Sequence, residues 1–143
     1  MLDAVQARIA GQDLFIAAAA VADYTVSAPA SAKRKKDGAP WQLVLTPTVD
    51  IVATVAAMSP RPYVVGFAAE TEDVEANARA KRVRKGMDLI VANQVGQPGT
   101  GFDADHNALV VHGEAGSIDL GHGRKHDLAL RLIEVIAGAM ASR

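Results

Sequence analysis

The sequence predicts an α/β fold built on a mainly parallel sheet. Three short apolar runs, Asp13–Val21 (DLFIAAAAV), Tyr63–Ala69 (YVVGFAA) and Met87–Ala92 (MDLIVA), read as strands buried on both faces. Segments of helical periodicity separate them, the alternation that right-handed crossovers produce. Half of the 143 residues are apolar, many of them alanine, with only one Trp, two Tyr and three Phe, which suits small side chains packed between helices and strands.

Each element has its own signal. Leu2, Val5, Ile9 and Ala10 share one stripe of an opening helix that Gly11 stops. The first strand runs out at Ala22-Asp23-Tyr24. The stretch from Pro29 to Pro40 is polar, with Lys33, Arg34, Lys35 and Lys36 in a row and Asp37-Gly38 as a turn signal. Trp41–Leu45 (WQLVL) alternates like a strand, so Ser27–Leu45 is expected to form a hairpin arm with a basic tip. Val49–Met58 reads as a short helix with Ile51, Val52, Val55 and Met58 inward and Thr48 or Asp50 as its cap; Pro60 and Pro62 close it.

Glu70, Glu72 and Asp73 place acids at the start of a helix over 73–85, as the helix dipole favours. Val74, Ala78 and Val83 are expected inward on that helix, and Gly86 ends it. Asn93 follows the third strand, and Gly96–Gly101 reads as loop. Asn107–His112 and Ser117–Leu120 predict an antiparallel hairpin. Arg124–Met140 predicts a closing helix on Leu128, Leu132, Ile136 and Met140, supported by Ile133 and Val135. The expected whole is a Rossmann-like three-layer sandwich with a projecting hairpin arm and a C-terminal antiparallel hairpin, as one domain over 1–143. It opens with a helix, where such folds ordinarily open with a strand and a phosphate-binding turn.

Composition excludes several classes. Fifteen basic against 16 acidic residues exclude a globally basic nucleic-acid binder. The absence of cysteine excludes a disulfide scaffold, an iron–sulfur site, a thiolate zinc site and a cysteine nucleophile. No run of about 18 apolar residues predicts a membrane span. The first residues (MLDAVQARIAGQD) lack a secretory leader's apolar core, so the expected compartment is the cytoplasm.

Open α/β sheets bind ligands outside the carboxyl ends of their strands, which places Asp23, Glu70 and Asn93 along one edge. Asp23 is a candidate for a ribose hydroxyl or for Mg²⁺ near phosphates, or else a turn residue capping local backbone. The Lys33–Lys36 run suits a phosphate-rich ligand met by a mobile arm, or is a solvated tip. An RNA-binding reading is poorer because no aromatic stacking platform accompanies the run. Lys81 and Lys85 are four apart on one helix face and could clamp two phosphates, or form a surface balanced by the acids upstream. Phe67 is either core or a ring that stacks on a base. His122 and His126 lack a third metal ligand. Neither a nucleophile elbow, nor G-x-G-x-x-G, nor a Walker loop is present.

Six blocks in order, Ala18–Tyr24, Lys33–Lys36 (KRKK), Val49–Val52 (VDIV), Val64–Thr71 (VVGFAAET), Lys81–Lys85 (KRVRK) and Leu89–Asn93 (LIVAN), make the chain resemble bacterial phosphopantothenoylcysteine synthetase. This is the C-terminal half of the bifunctional coenzyme A biosynthesis protein, or Dfp flavoprotein. Gly101-Phe102 and Asn107-Ala108-Leu109 also match. The resemblance implies ligation of 4′-phosphopantothenate with L-cysteine. CTP activates the carboxylate as an acyl-cytidylate with release of pyrophosphate, and the cysteine amine displaces CMP; Mg²⁺ is required. It implies Lys33 as the lysine that processes the acyl-cytidylate. It implies Ala19, Asp23, the segment Val49, Asp50, Ile51 and Val52, Phe67, Lys81 and Lys85 as nucleotide contacts. Val49 stands where the family usually has proline. Three lysines supply the neutralisation that a triphosphate attacked by a carboxylate requires.

The family's glycine-rich opening and its Ser-Asn-x-Ser-Ser-Gly-type segment have no counterpart in these residues, nor has the flavin-binding half. The resemblance is therefore to part of a synthetase domain. It implies a homodimer with the arm reaching across, or association with the missing segment, and it implies neither nucleic-acid nor membrane partners. A non-catalytic nucleotide-binding fragment, an NAD(P)-dependent oxidoreductase domain and a structural or interaction protein are the alternatives.

Overall fold

The computed structural model describes residues 1–36, 38–70, 73–94 and 104–143. The chain forms two compact units, one of Met1–Ala18 with Ile51–Arg143 and one of Ala19–Asp50.

The larger unit holds a five-stranded sheet of β1 (Leu14–Ala17), β4 (Tyr63–Glu70), β5 (Leu89–Gln94), β6 (His106–Gly113) and β7 (Gly116–Arg124), in that spatial order. β1, β4 and β5 are parallel; β6 and β7 add antiparallel to β5. Alternation along the strands builds two cores. Tyr63, Val65, Leu89, Val91, Leu109 and Val111 face α4 (Lys125–Ala141), where they meet Leu128, Leu132 and Ile136. Val64, Ala68, Ile90 and Ala92 face the other way, toward Ile9, Val55 of α2 (Ile51–Ala56) and Ala78 of α3 (Val74–Lys85). With α1 (Leu2–Gln6), the helices complete the predicted three layers.

Several sequence expectations shift. The opening helix stops at Gln6, although Ile9 still enters the core. β1 is four residues long and only half-buried, because it lies at the sheet edge with β4 as its partner; Ala18–Val21 lie outside it and are exposed. Asn93 lies inside β5, whose run is displaced two residues toward the C-terminus. Val83 is 71% exposed, since five residues beyond Ala78 is well over a third of a helical turn off the inward stripe. That stripe continues instead through half-buried Lys81, Arg82 and Lys85. Ile133 points outward for the same reason, at 50% exposure. Gly86 closes α3 in the left-handed conformation (φ 68°), its own amide and that of Met87 reaching back to the carbonyls of Val83 and Arg82. The Gly96–Gly101 loop, Gly101-Phe102, Asp37, Thr71 and Glu72 lie outside the described residues.

The smaller unit is the expected hairpin arm with its strands moved to the base. β2 (Tyr24–Val26) pairs antiparallel with β3 (Leu45–Pro47), not with Trp41–Val44. Ser27 extends the pairing, its amide and hydroxyl both donating to the Val44 carbonyl at 3.0 and 3.1 Å. Trp41 instead lies beneath the Arg34 guanidinium, 4.8 Å from its ring centroid. The basic run thus has an aromatic contact of its own, a ring covered by one of its arginines.

Candidate functional site

The carboxyl ends of the parallel strands open on the α4 side of the sheet. β1 pairs with β4 as far as Gly66, so Phe67 is the first β4 residue beyond that pairing. One register step across, Ala69 pairs with Asn93. Phe67 and Asn93 share the odd-numbered, α4-facing side of their strands. They line a cavity of about 320 Å³ with Ala18, Asn107 and Leu109 of the sheet and Lys125, Leu128, Ala129 and Leu132 of α4. An aromatic ring, two carboxamides and an ammonium therefore meet over an aliphatic floor. Such a set offers a stacking face, donors and acceptors for a planar polar ligand, and a cation for an oxyanion.

Phe67 and Asn93 are legible in the sequence as strand-end residues, whereas Lys125 is not. Its signal was present: Lys125, Leu128, Ala129 and Leu132 follow helical spacing, so the first residue of α4 shares the buried stripe's face. The Lys125 amide donates to the Asp105 carbonyl at 2.9 Å, which ties the start of α4 to the chain just before β6. Asn107 belonged to a matched block, yet no role was read from it. Its Oδ1 accepts from the Ala108 amide at 3.0 Å. A bulge at Leu109/Val110 sits opposite Gly121, which takes φ 71°, and the Asp119 carboxylate accepts the Gly121 amide at 2.7 Å.

The remaining candidates are distributed. Lys81 and Lys85 share one face of α3, as expected, but α3 packs on the opposite side of the sheet from α4, and neither lysine lines the Phe67 cavity. Ile51 is buried and Val52 packs against the α3-side core, so their side chains are committed to packing and a ligand there would meet backbone. Glu70 ends β4, opposite Gln94.

In the smaller unit Ala19, Asp23, Lys33, Val49 and Asp50 are all exposed. The Asp23 carbonyl accepts the Thr48 amide at 2.8 Å, and the Thr48 hydroxyl donates to the Ala22 carbonyl at 2.6 Å. Thr48 therefore ties down the base of the arm, and Asp23 is held by its backbone with its carboxylate in solvent. Among the described residues no group of three or more His, Asp or Glu side chains could hold a metal ion. Asp23 suits Mg²⁺ only as one carboxylate beside phosphate oxygens, the usual manner of that ion. Among the described residues no helix is long and apolar enough to cross a membrane.

Residues 1–140 match the family described as DNA/pantothenate metabolism flavoprotein C-terminal domain. The chain is 47% identical over 137 residues to the coenzyme A biosynthesis bifunctional protein CoaBC of Escherichia coli strain K12, covering 93% of this chain and 34% of that protein. It is 38% identical over 138 residues to the Bacillus subtilis strain 168 protein of the same name, covering 96% and 34%. The chain thus spans about a third of the length of the curated relatives it matches. The crystal structure of the C-terminal domain of CoaBC superposes with a TM-score of 0.77 at 28% identity, over 99% of this chain and 62% of that one. The DNA/pantothenate metabolism flavoprotein from Streptococcus pneumoniae, at 20% identity and a TM-score of 0.71 over 95% and 68%, shares the fold. Sheet order, helical layers and a match along nearly all of its length make this chain a member of the DNA/pantothenate metabolism flavoprotein C-terminal domain family.

Proposed function

We propose that this chain carries the nucleotide-handling part of a CTP-dependent ligase of coenzyme A biosynthesis, which joins 4′-phosphopantothenate to L-cysteine. The observation that carries the reading is Phe67 at the mouth of a polar-edged cavity, at the end of the sheet where α/β folds take their ligands. The family match and the relatives named for coenzyme A biosynthesis support it.

In this reading the pantothenate carboxylate attacks the α-phosphorus of CTP and pyrophosphate leaves. The cysteine amine then attacks the acyl carbon, and CMP leaves with the C–O bond electrons. Phe67 offers a face for the base. Lys81 and Lys85 offset phosphate charge, and Lys33, exposed on the arm, reaches the acyl-cytidylate and favours CMP as leaving group. Ala19, Asp23 and the backbone of Val49–Val52 contact the nucleotide. Mg²⁺, held by Asp23 and phosphate oxygens, would supply further charge neutralisation. A second copy of the chain, or the segment that precedes the family's matched region, completes the assembly, in the cytoplasm.

Calorimetry with CTP tests binding. Phe67→Ala is expected to weaken it about 5- to 150-fold, the range for loss of one base–aromatic stack. Unchanged affinity in Phe67→Ala, Lys81→Ala and Lys85→Ala would overturn the site. Pyrophosphate release from CTP and 4′-phosphopantothenate then tests catalysis. CTP binding without release would make the chain a nucleotide-binding segment that is not a ligase by itself.

A further inference from the structure

A larger cleft, about 810 Å³, lies at the other end of the sheet, where β4 and β5 begin. Three guanidinium groups line it: Arg61, Arg82 and Arg143. They are not equivalent. Arg61 is neutralised by Asp88 through two hydrogen bonds of 2.7 and 2.9 Å. Arg82 reaches only the carbonyls of Met87 and Asp88, at 3.3 and 3.4 Å. Arg143 lies over the Tyr63 ring, 5.7 Å from its centroid. Among the described residues neither Arg82 nor Arg143 is in an ion pair with a carboxylate. The cleft therefore presents two guanidinium groups outside any ion pair beside a phenol; of the carboxylates in its lining, Asp88 is engaged by Arg61, and Glu114 lies on the hairpin turn.

Its floor is apolar, formed by Leu89, Val111, Ile118 and Val135. Val111 is 1% exposed, yet Ile118, its cross-strand partner, is 50% exposed. A second observation concerns the room beside it. Gly138 lines the cleft from inside α4, where glycine is less favourable than alanine, and a Cβ built there would meet nothing within 4 Å. Packing thus gives no reason for glycine at this position, and the space that a longer side chain would enter there is open.

We propose that this cleft is a second ligand site, distinct from the Phe67 cavity, for an amphipathic anion. An oxyanion head, carboxylate or phosphate ester, sits between Arg82 and Arg143, and an apolar body lies across Ile118 and Val135 beneath Gly138. Guanidinium forks suit either head, and the volume falls in the range of small-molecule pockets.

The test is calorimetric titration of the full chain with hexyl phosphate, heptanoate and heptan-1-ol. Saturable one-to-one binding of at least one anion is expected, with none for the alcohol; the tighter anion names the head group. Arg82→Gln and Arg143→Gln should each weaken that binding at least fivefold. Gly138→Leu should abolish it while far-UV circular dichroism and CTP binding stay unchanged. Equal binding of the alcohol, no saturable anion binding, or full affinity in Gly138→Leu or in the double arginine variant would overturn the proposal.

Discussion

Arg61 and Asp88 meet as a fork-to-fork pair where β4 and β5 begin, at 2.7 and 2.9 Å, and the same carboxylate accepts the amide of fully buried Val64 at 2.7 Å. Burial alone would raise the Asp88 pKa; the hydrogen bonds from Arg61 and the Val64 amide outweigh it and hold the carboxyl below its usual value. Asp88→Ala leaves a guanidinium and a buried amide unpaired and is expected to cost about 3 kcal/mol. Thermal melts should show Tm lower by about 10 °C. A depressed carboxyl pKa stabilises the fold above the unfolded value of about 3.9, and that contribution disappears as pH falls through the folded value. Asp88→Ala should therefore narrow its gap from the wild type below about pH 4.

His112 is 2% exposed, with Nδ1 2.8 Å from the Ser117 hydroxyl and Nε2 without a hydrogen-bond partner among the described residues. Burial lowers its pKa, the neighbouring Glu75 opposes the shift, and Arg79, which donates to Ser117 at 2.9 Å, adds to it. The unfolded chain then binds a proton that the folded chain refuses, so stability is full above the unfolded value of about 6.5 and falls as pH drops below it. Tm should decline between pH 7.5 and 5.5, and the decline should be shallower in His112→Leu. Parallel pH profiles for the two proteins would refute this.

Gly66 lies beneath the Met87 thioether, and a Cβ at Gly66 would collide with the sulfur. Both residues sit in the middle of the α3-side core, where overpacking costs about 1–3 kcal/mol. Gly66→Ala should destabilise by that amount in urea unfolding. Combined with Met87→Ala, it should cost less than it does alone, a coupling that a double-mutant cycle reads directly.

Phe67 faces the α4 side of the sheet, whereas Lys85 lies on α3, which packs against the opposite side. If both contact CTP, they do so through separate parts of it. Phe67→Leu and Lys85→Met should then weaken binding additively, within about 0.5 kcal/mol in a calorimetric cycle.

What the sequence made legible follows from periodicity. Val64, Val65, Ile90 and Val91 had to be strand interior, and Leu128, Leu132 and Ile136 had to be one helix face, because no other spacing buries them. Val83 and Ile133 were misplaced because apolar character was followed where the helical angle should have been. Lys81 and Lys85 carry charge yet occupy the inward stripe, their stems lying along it. That Phe67 and Asn93 lie at the carboxyl ends of their strands follows from the strand runs alone. Lys125 was missed because a cation at a helix start looks like a solvated terminus, and only the fold brings it across from Phe67. Alternation predicts a strand at Trp41, but the pairing begins only at Leu45, and Trp41 meets Arg34 instead.

Among the described residues the sheet's first strand pairs with β4 alone, and it does so after a chain excursion that includes the whole arm. Closing so long a loop is entropically slow, whereas β6, β7 and α4 are consecutive and can assemble locally. Folding is therefore expected to begin at the C-terminal hairpin and finish with β1. The same asymmetry governs opening: β1, half-buried and secured along one side, should exchange its amide hydrogens first, and a protease cut in the arm would release it while the other four strands stay together.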